Sequence, residues 1–216
     1  MNKLSLYLLP TVLVAALSAS AQYNQKGMVH LSIGGAIGVH ATELEYTILG
    51  FKGTETDGAA TTSVPIRVAA GLTNRFTLGF LFEPGRYLPD SADADVQSNR
   101  FFHFAVEPKF YLLNGKRVAW TASAQVGAMG LRMQDNTPGE KLDARWIGGA
   151  FGLGTGLNVG FGETVGVGLD VRYMSTNMEL KEIELNDVSI SDFYDATLRT
   201  GGVVVELNLT VRLGGS

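Results

Sequence analysis

The stretch Gly202–Leu213 alternates without a break. Val203, Val205, Leu207, Leu209, Val211 and Leu213 fall on one side of an extended chain, and Val204, Glu206, Asn208, Thr210 and Arg212 on the other. A period of two is the signature of a β-strand. One face is wholly aliphatic, while the other carries an acid, an amide, a hydroxyl and a base. Such a strand needs hydrocarbon on one side and polar filling on the other, as a stave of a transmembrane β-barrel does.

The pattern recurs upstream. Residues 29–40 place Val29, Leu31, Ile33, Ile37 and Val39 opposite His30, Ser32, Ala36 and His40. Val64, Ile66, Val68 and Leu72 oppose Arg67 and Ala69; Phe76, Leu78, Phe80 and Phe82 oppose Thr77, Leu81 and Glu83. Phe102, Phe104, Val106, Pro108, Phe110 and Leu112 oppose Phe101, His103, Glu107, Lys109 and Tyr111. Val118, Trp120 and Val126 then oppose Thr121, Ser123 and Gln125; Ile147, Phe151, Leu153, Leu157 and Val159 oppose a glycine-rich face; and Val165, Val167, Leu169, Val171 and Tyr173 oppose Asp170 and Arg172. Pro108 breaks the rule that proline avoids sheet interiors, so a bulge is expected there. Thr73-Asn74, Asn114-Gly115 and Gly162-Glu163 mark tight turns.

Connections alternate long and short, with long ones at about 41–62, 84–99, 132–145 and 175–195. This arrangement predicts an all-β fold: an eight-stranded antiparallel up-and-down transmembrane β-barrel with both termini at the short-turn end. No apolar-face position is charged, and a Lys or Arg there would cost ~2–4 kcal/mol at the bilayer midplane. Phe76, Phe110, Trp120 and Phe161 beside the short turns, and Phe82, Phe102 and Tyr173 near the long loops, are expected to form interfacial girdles.

The first residues set the compartment. Asn2-Lys3, an apolar run to Leu17 and Ala19-Ser20-Ala21 have the layout of a secretory signal peptide, giving residues 1–21 as leader and 22–216 as barrel domain. The run is shorter than the ~20 apolar residues of a spanning helix. The formal net charge of −4 gives no electrostatic case for nucleic acid, and the absence of cysteine excludes disulfides and thiolate chemistry.

With its signal peptide, alternating strands, long–short loops and final V-x-V-x-L-x-L-x-V-x-L, the chain resembles the small bacterial outer-membrane β-barrels of the OmpA/OmpX type. The resemblance implies residence in the outer membrane and contact with its lipids, including lipopolysaccharide. It also implies recognition by the barrel insertion machinery. Where members of that family usually end in an aromatic residue, this chain has Leu213 followed by Gly214-Gly215-Ser216.

The inward charges Arg67, Glu107, Lys109, Asp170, Arg172, Glu206 and Arg212 are candidates for an interior polar network that fills the barrel. Glu107/Lys109, Asp170/Arg172 and Glu206/Arg212 are expected to pair along their own strands. The rival reading of these charges is a narrow channel. A lipid-modifying enzyme would need a rim constellation around His40, and a soluble lipocalin-like barrel would need the faces reversed. No catalytic, cofactor or metal site is assigned: the histidines form no cluster of ligand spacing, and the glycine runs complete no phosphate loop. Asp90, Asp93 and Asp95 read as a solvated acidic loop. The long loops are where an extracellular ligand would dock, and Met178–Leu180 and Val188–Ile190 are expected to continue as a protruding hairpin.

Overall fold

A computed structural model describes residues 22–48, 50–90, 98–137, 140–191 and 194–214. The strands are β1 (Val29–Ile48), β2 (Phe51–Ser63), β3 (Ile66–Thr73), β4 (Phe76–Pro89), β5 (Arg100–Asn114), β6 (Val118–Thr137), β7 (Glu140–Phe161), β8 (Val165–Leu185), β9 (Val188–Ser189) and β10 (Tyr194–Leu213). Every pairing is antiparallel, and β10 pairs with both β1 and β8, which closes the sheet. β2 and β3 are two halves of one stave, separated by Val64-Pro65, and β9 is a short extension on β8, so the ring has eight staves. Val29 lies opposite Leu213, placing both ends of the barrel chain at the short-turn mouth. The signal-peptide reading falls on residues outside those described, as do Asp93 and Asp95.

Alternation has the expected sense through the lower half. Ile37, Val39, Val126 and Leu207 are each at least 60% exposed, which only a hydrocarbon surrounding makes favourable for a continuous band. Phe80 and Phe104 stack at 6.1 Å on this outer face.

Three expectations are corrected. First, three of the long connections are mostly strand: β1 runs on to Ile48, β6 to Thr137 and β8 to Leu185, and their partners return directly. β7 has 22 residues, whereas a crossing needs ~9–11, so much of the barrel stands clear of the bilayer. There the inner face turns apolar, with Tyr87, Phe101, Met129, Leu131, Trp146, Met178, Ile183 and Leu198 buried together, while the outer face carries ion pairs such as Arg199 with Glu45. The alternation persists because the two faces exchange solvents. Second, Pro108 causes no bulge. It lies opposite Leu78 in unbroken register with β4, and the β5–β6 ladder skips Glu107 and Pro108 before resuming in phase. Register shifts instead occur at Gly71/Thr73, at Tyr111/Leu113 and, between β7 and β8, at Arg145/Trp146. Third, the interior is not polar throughout.

The β8–β9 connection is a two-residue turn with Asn186 and Asp187 both at positive φ (52° and 63°), the conformation that matches the twist of a tight hairpin.

Candidate functional site: the filled interior

Closing the ring brings side chains from six staves to one level. Arg67 on β3 donates through Nε to Glu107 on β5 at 3.0 Å and through Nη2 to Glu206 on β10 at 2.8 Å, with Nη1 on the other Glu206 oxygen. Glu206 is only 1% exposed and also accepts from Arg172 Nη1 on β8 at 3.1 Å. Arg172 turns its other amino group to Glu83 on β4. Lys109 lies 3.2 Å from Glu107 and 4.0 Å from Asp170. Three of the four carboxylates have a further donor: Gln125 to Glu107 at 2.6 Å, Ser63 to Glu83 at 2.6 Å, and Asn208 to Asp170 at 2.6 Å. These ion pairs and hydrogen bonds offset much of the desolvation of the buried charges, while Arg172 Nε, His103 Nε2 and Gln125 Oε1 stay buried without a hydrogen-bond partner among the described residues.

Six of the seven predicted residues therefore meet, but two of the three predicted pairings do not form. Asp170 accepts from Asn208 and faces Lys109 at 4.0 Å rather than pairing with Arg172, and Arg172 donates to Glu83 and Glu206. Residues two apart on a strand share a face but stand ~6–7 Å apart along it, a gap the long Lys109 side chain spans to Glu107, whereas Asp170 and Arg172 each have nearer cross-strand partners. Arg212 does not join Glu206. It donates to the carbonyls of Gly162 (2.8 Å) and Tyr23 (3.4 Å), and its guanidinium lies 4.2 Å above the Tyr23 ring. Glu83, His103 and Gln125 complete the network without having been singled out; His103 Nδ1 is 3.4 Å from Glu83. Their places on the inner face were visible in the alternation.

Residues 22–28 form a plug below the network, for which the sequence offered no periodic signal. Tyr23 is 1% exposed and packs with Tyr111 and Ala119. Asn24 donates to Thr73 O at 2.8 Å and bonds His30 Nε2 at 2.9 Å. Asn114, read from sequence only as a turn residue, accepts from Asn24 N at 2.9 Å and donates to Asn24 O at 2.8 Å.

Above the network, His40 bonds Thr61 at 3.0 Å. It faces a cavity of about 20 Å³ that is also lined by Tyr87, Phe101 and Met129, so it lies beneath the apolar layer rather than at an open rim. Phe101 lies across Gly85, where a Cβ would come within 2.5 Å of the ring; that close approach requires glycine. A second cavity, of about 40 Å³, lies between the lower plug and Arg67 and Glu107. Each has room for a water or a few, since one needs ≳10–15 Å³. Polar plug, ionic layer and apolar layer thus stack along the axis. Among the described residues no group of three or more His, Asp or Glu is placed to hold a metal ion.

No family model matches the chain, and no curated protein matches it in sequence. Solved structures do match. The outer membrane protein OprG from Pseudomonas aeruginosa aligns with a TM-score of 0.52 and 11% identity, over 89% of this chain and 98% of that one. Ail, the attachment invasion locus protein of Yersinia pestis, aligns at 0.46 and 12%, over 88% and 100%. Neisserial surface protein A aligns at 0.42 and 12%, over 82% and 96%. With its closed antiparallel ring and lipid-facing band, the chain has the fold of the small bacterial outer-membrane β-barrels.

Proposed function

We propose that this protein is a non-enzymatic barrel of the bacterial outer membrane, exported by a cleaved leader ending at Ala21. Its interior is a structural plug, and its projecting hairpins are a platform for recognition at the cell surface. The reading rests above all on the ionic layer: Lys109, Glu107, Arg67, Glu206, Arg172 and Glu83 form one continuous chain of buried ion pairs, with protein packed above and below them. Groups arranged in this way hold staves together and leave no continuous aqueous path. Recognition belongs to the hairpins because they extend β1–β2, β6–β7 and β8–β10 beyond the membrane on a rigid base.

Single-molecule recording in planar bilayers tests the plug. The refolded protein is expected to give no stable conductance, whereas Arg67→Ala/Glu206→Ala should produce one. Steady ion-selective current through the unmodified protein would establish a channel instead. Loss of binding to a host or envelope ligand on shortening the β8–β10 hairpin, with the barrel intact on heat-modifiable gels, tests the platform.

A further inference from the structure

Four arginines form one row around the outside of the wall. Arg86 on β4 is opposite Arg100 on β5, Arg100 is opposite Arg132 on β6, and Arg132 is opposite Arg145 on β7. All four are exposed. On the same face, two residues nearer the membrane, stand Pro84, Phe102, Gly130 and Ile147; Phe102 and Ile147 are 51% and 45% exposed. The row therefore runs immediately above the lipid-facing band, at headgroup level.

Like charges directly opposite on neighbouring strands repel, so four in succession call for counter-charge. Arg132 has it in Asp143, bonded through Nε at 3.0 Å, and Arg145 has it in Glu182 at 2.6 Å. Among the described residues neither Arg86 nor Arg100 has a carboxylate partner. Beside the row is a groove of about 450 Å³. Arg100, Arg132 and Arg145 line it together with Phe102 and Ile147, and Asp143, Glu182 and Glu184 are also among its lining residues. A guanidinium presents a planar fork that suits phosphate, and aromatic and aliphatic side chains below it suit the first methylenes of an acyl chain.

We propose that this row binds the phosphorylated headgroup of an outer-leaflet glycolipid. Arg86 and Arg100 engage the phosphate, Arg132 closes the site, and Phe102 and Ile147 support the lipid chain. The proposal depends on the transmembrane placement but not on ligand recognition by the hairpins.

The full chain is reconstituted in nanodiscs that contain phosphatidylcholine and a minor fraction of lipopolysaccharide, and co-retained glycolipid is quantified by native mass spectrometry. Arg86→Gln/Arg100→Gln is compared with Arg199→Gln, a rim arginine paired elsewhere with Glu43 and Glu45; heat-modifiable mobility verifies folding of each. Retention is expected to fall about thirtyfold in the double variant, at roughly 1 kcal/mol per arginine near a charged surface and about 1.4 kcal/mol per factor of ten. It should be unchanged in Arg199→Gln, and to fall equally when the glycolipid is dephosphorylated. Equal retention by the wild type and the folded double variant would overturn the proposal, as would indifference to dephosphorylation. Saturable binding of inorganic phosphate with no enrichment of the glycolipid would also overturn it, making the row a site for a free anion.

Discussion

The Arg212 guanidinium lies 4.2 Å above the ring of Tyr23, joining the last strand to the segment that precedes the first. The contact is buried on both sides, and the Arg212 amino group spans from it to the Gly162 carbonyl in the β7–β8 turn. One cation thus ties together the N-terminal plug, the final stave and a turn. A cation over an aromatic face gains more when water is excluded from the pair.

Removing the ring should loosen that mouth. Tyr23→Ala leaves a cavity beneath a buried cation, and an aromatic truncation of this kind costs about 3 kcal/mol or more. Urea unfolding in lipid vesicles should show a lowered midpoint, and amides of residues 22–28 should exchange fastest. An unaltered midpoint would show that the plug contributes nothing to stability.

Glu206→Gln should be more damaging than its position on one strand implies. The carboxylate serves both Arg67 and Arg172, so the amide leaves two buried cations under-compensated. Breaking a buried pair by removing one partner costs about 3–5 kcal/mol. The same vesicle titration reads it, and Arg67→Met/Glu206→Met should recover part of the loss by removing charge of both signs.

Trp146→Ala is expected to act locally. Its side chain belongs to the apolar layer above the bilayer with Met129, Leu131 and Met178. Limited proteolysis of membrane-inserted protein should cut the β6–β7 and β8–β10 hairpins much faster, while the membrane-embedded staves stay protected. Uniform cleavage of the whole barrel would contradict the layered interior.

The outer hairpin should respond to acid. Hydrogen bonding from Arg132 holds the Asp143 carboxyl below its ordinary value of 3.8. A depressed value in the folded state means that the stabilisation is present above the ordinary value and is lost as pH falls through the lowered one. Amide exchange across residues 132–145, corrected for intrinsic rates, should be flat from neutrality down to pH about 4 and quicken below it. Asp143→Asn should abolish the pH step.

The staves, their outward faces and the inner position of each charge could be read from a period of two, because a bilayer imposes that period wherever a strand crosses it. Height around the cylinder could not be read. Whether Arg172 meets Asp170 or Glu83 depends on how far each stave is staggered against the next, and single-residue insertions at Leu72 and Leu112 alter that stagger without disturbing the local pattern. The projecting strands were masked for a related reason. Once lipid gives way to water the same alternation holds with its sides exchanged, so Leu131 and Trp146 inside, with Arg132 and Arg145 outside, read as an irregular polar connection. Tyr23 and Asn24 lie in a coil, where no period exists to detect.

The exchange of faces also fixes how deep the cylinder floats. A slide of one residue pair, ~6–7 Å along a strand, would either drag Arg86, Arg100, Arg132 and Arg145 into acyl chains or lift Phe82 and Phe102 out into water. Displacement either way is penalised by side chains already in place, so the molecule is its own draught mark and keeps its level without a neighbour to hold it.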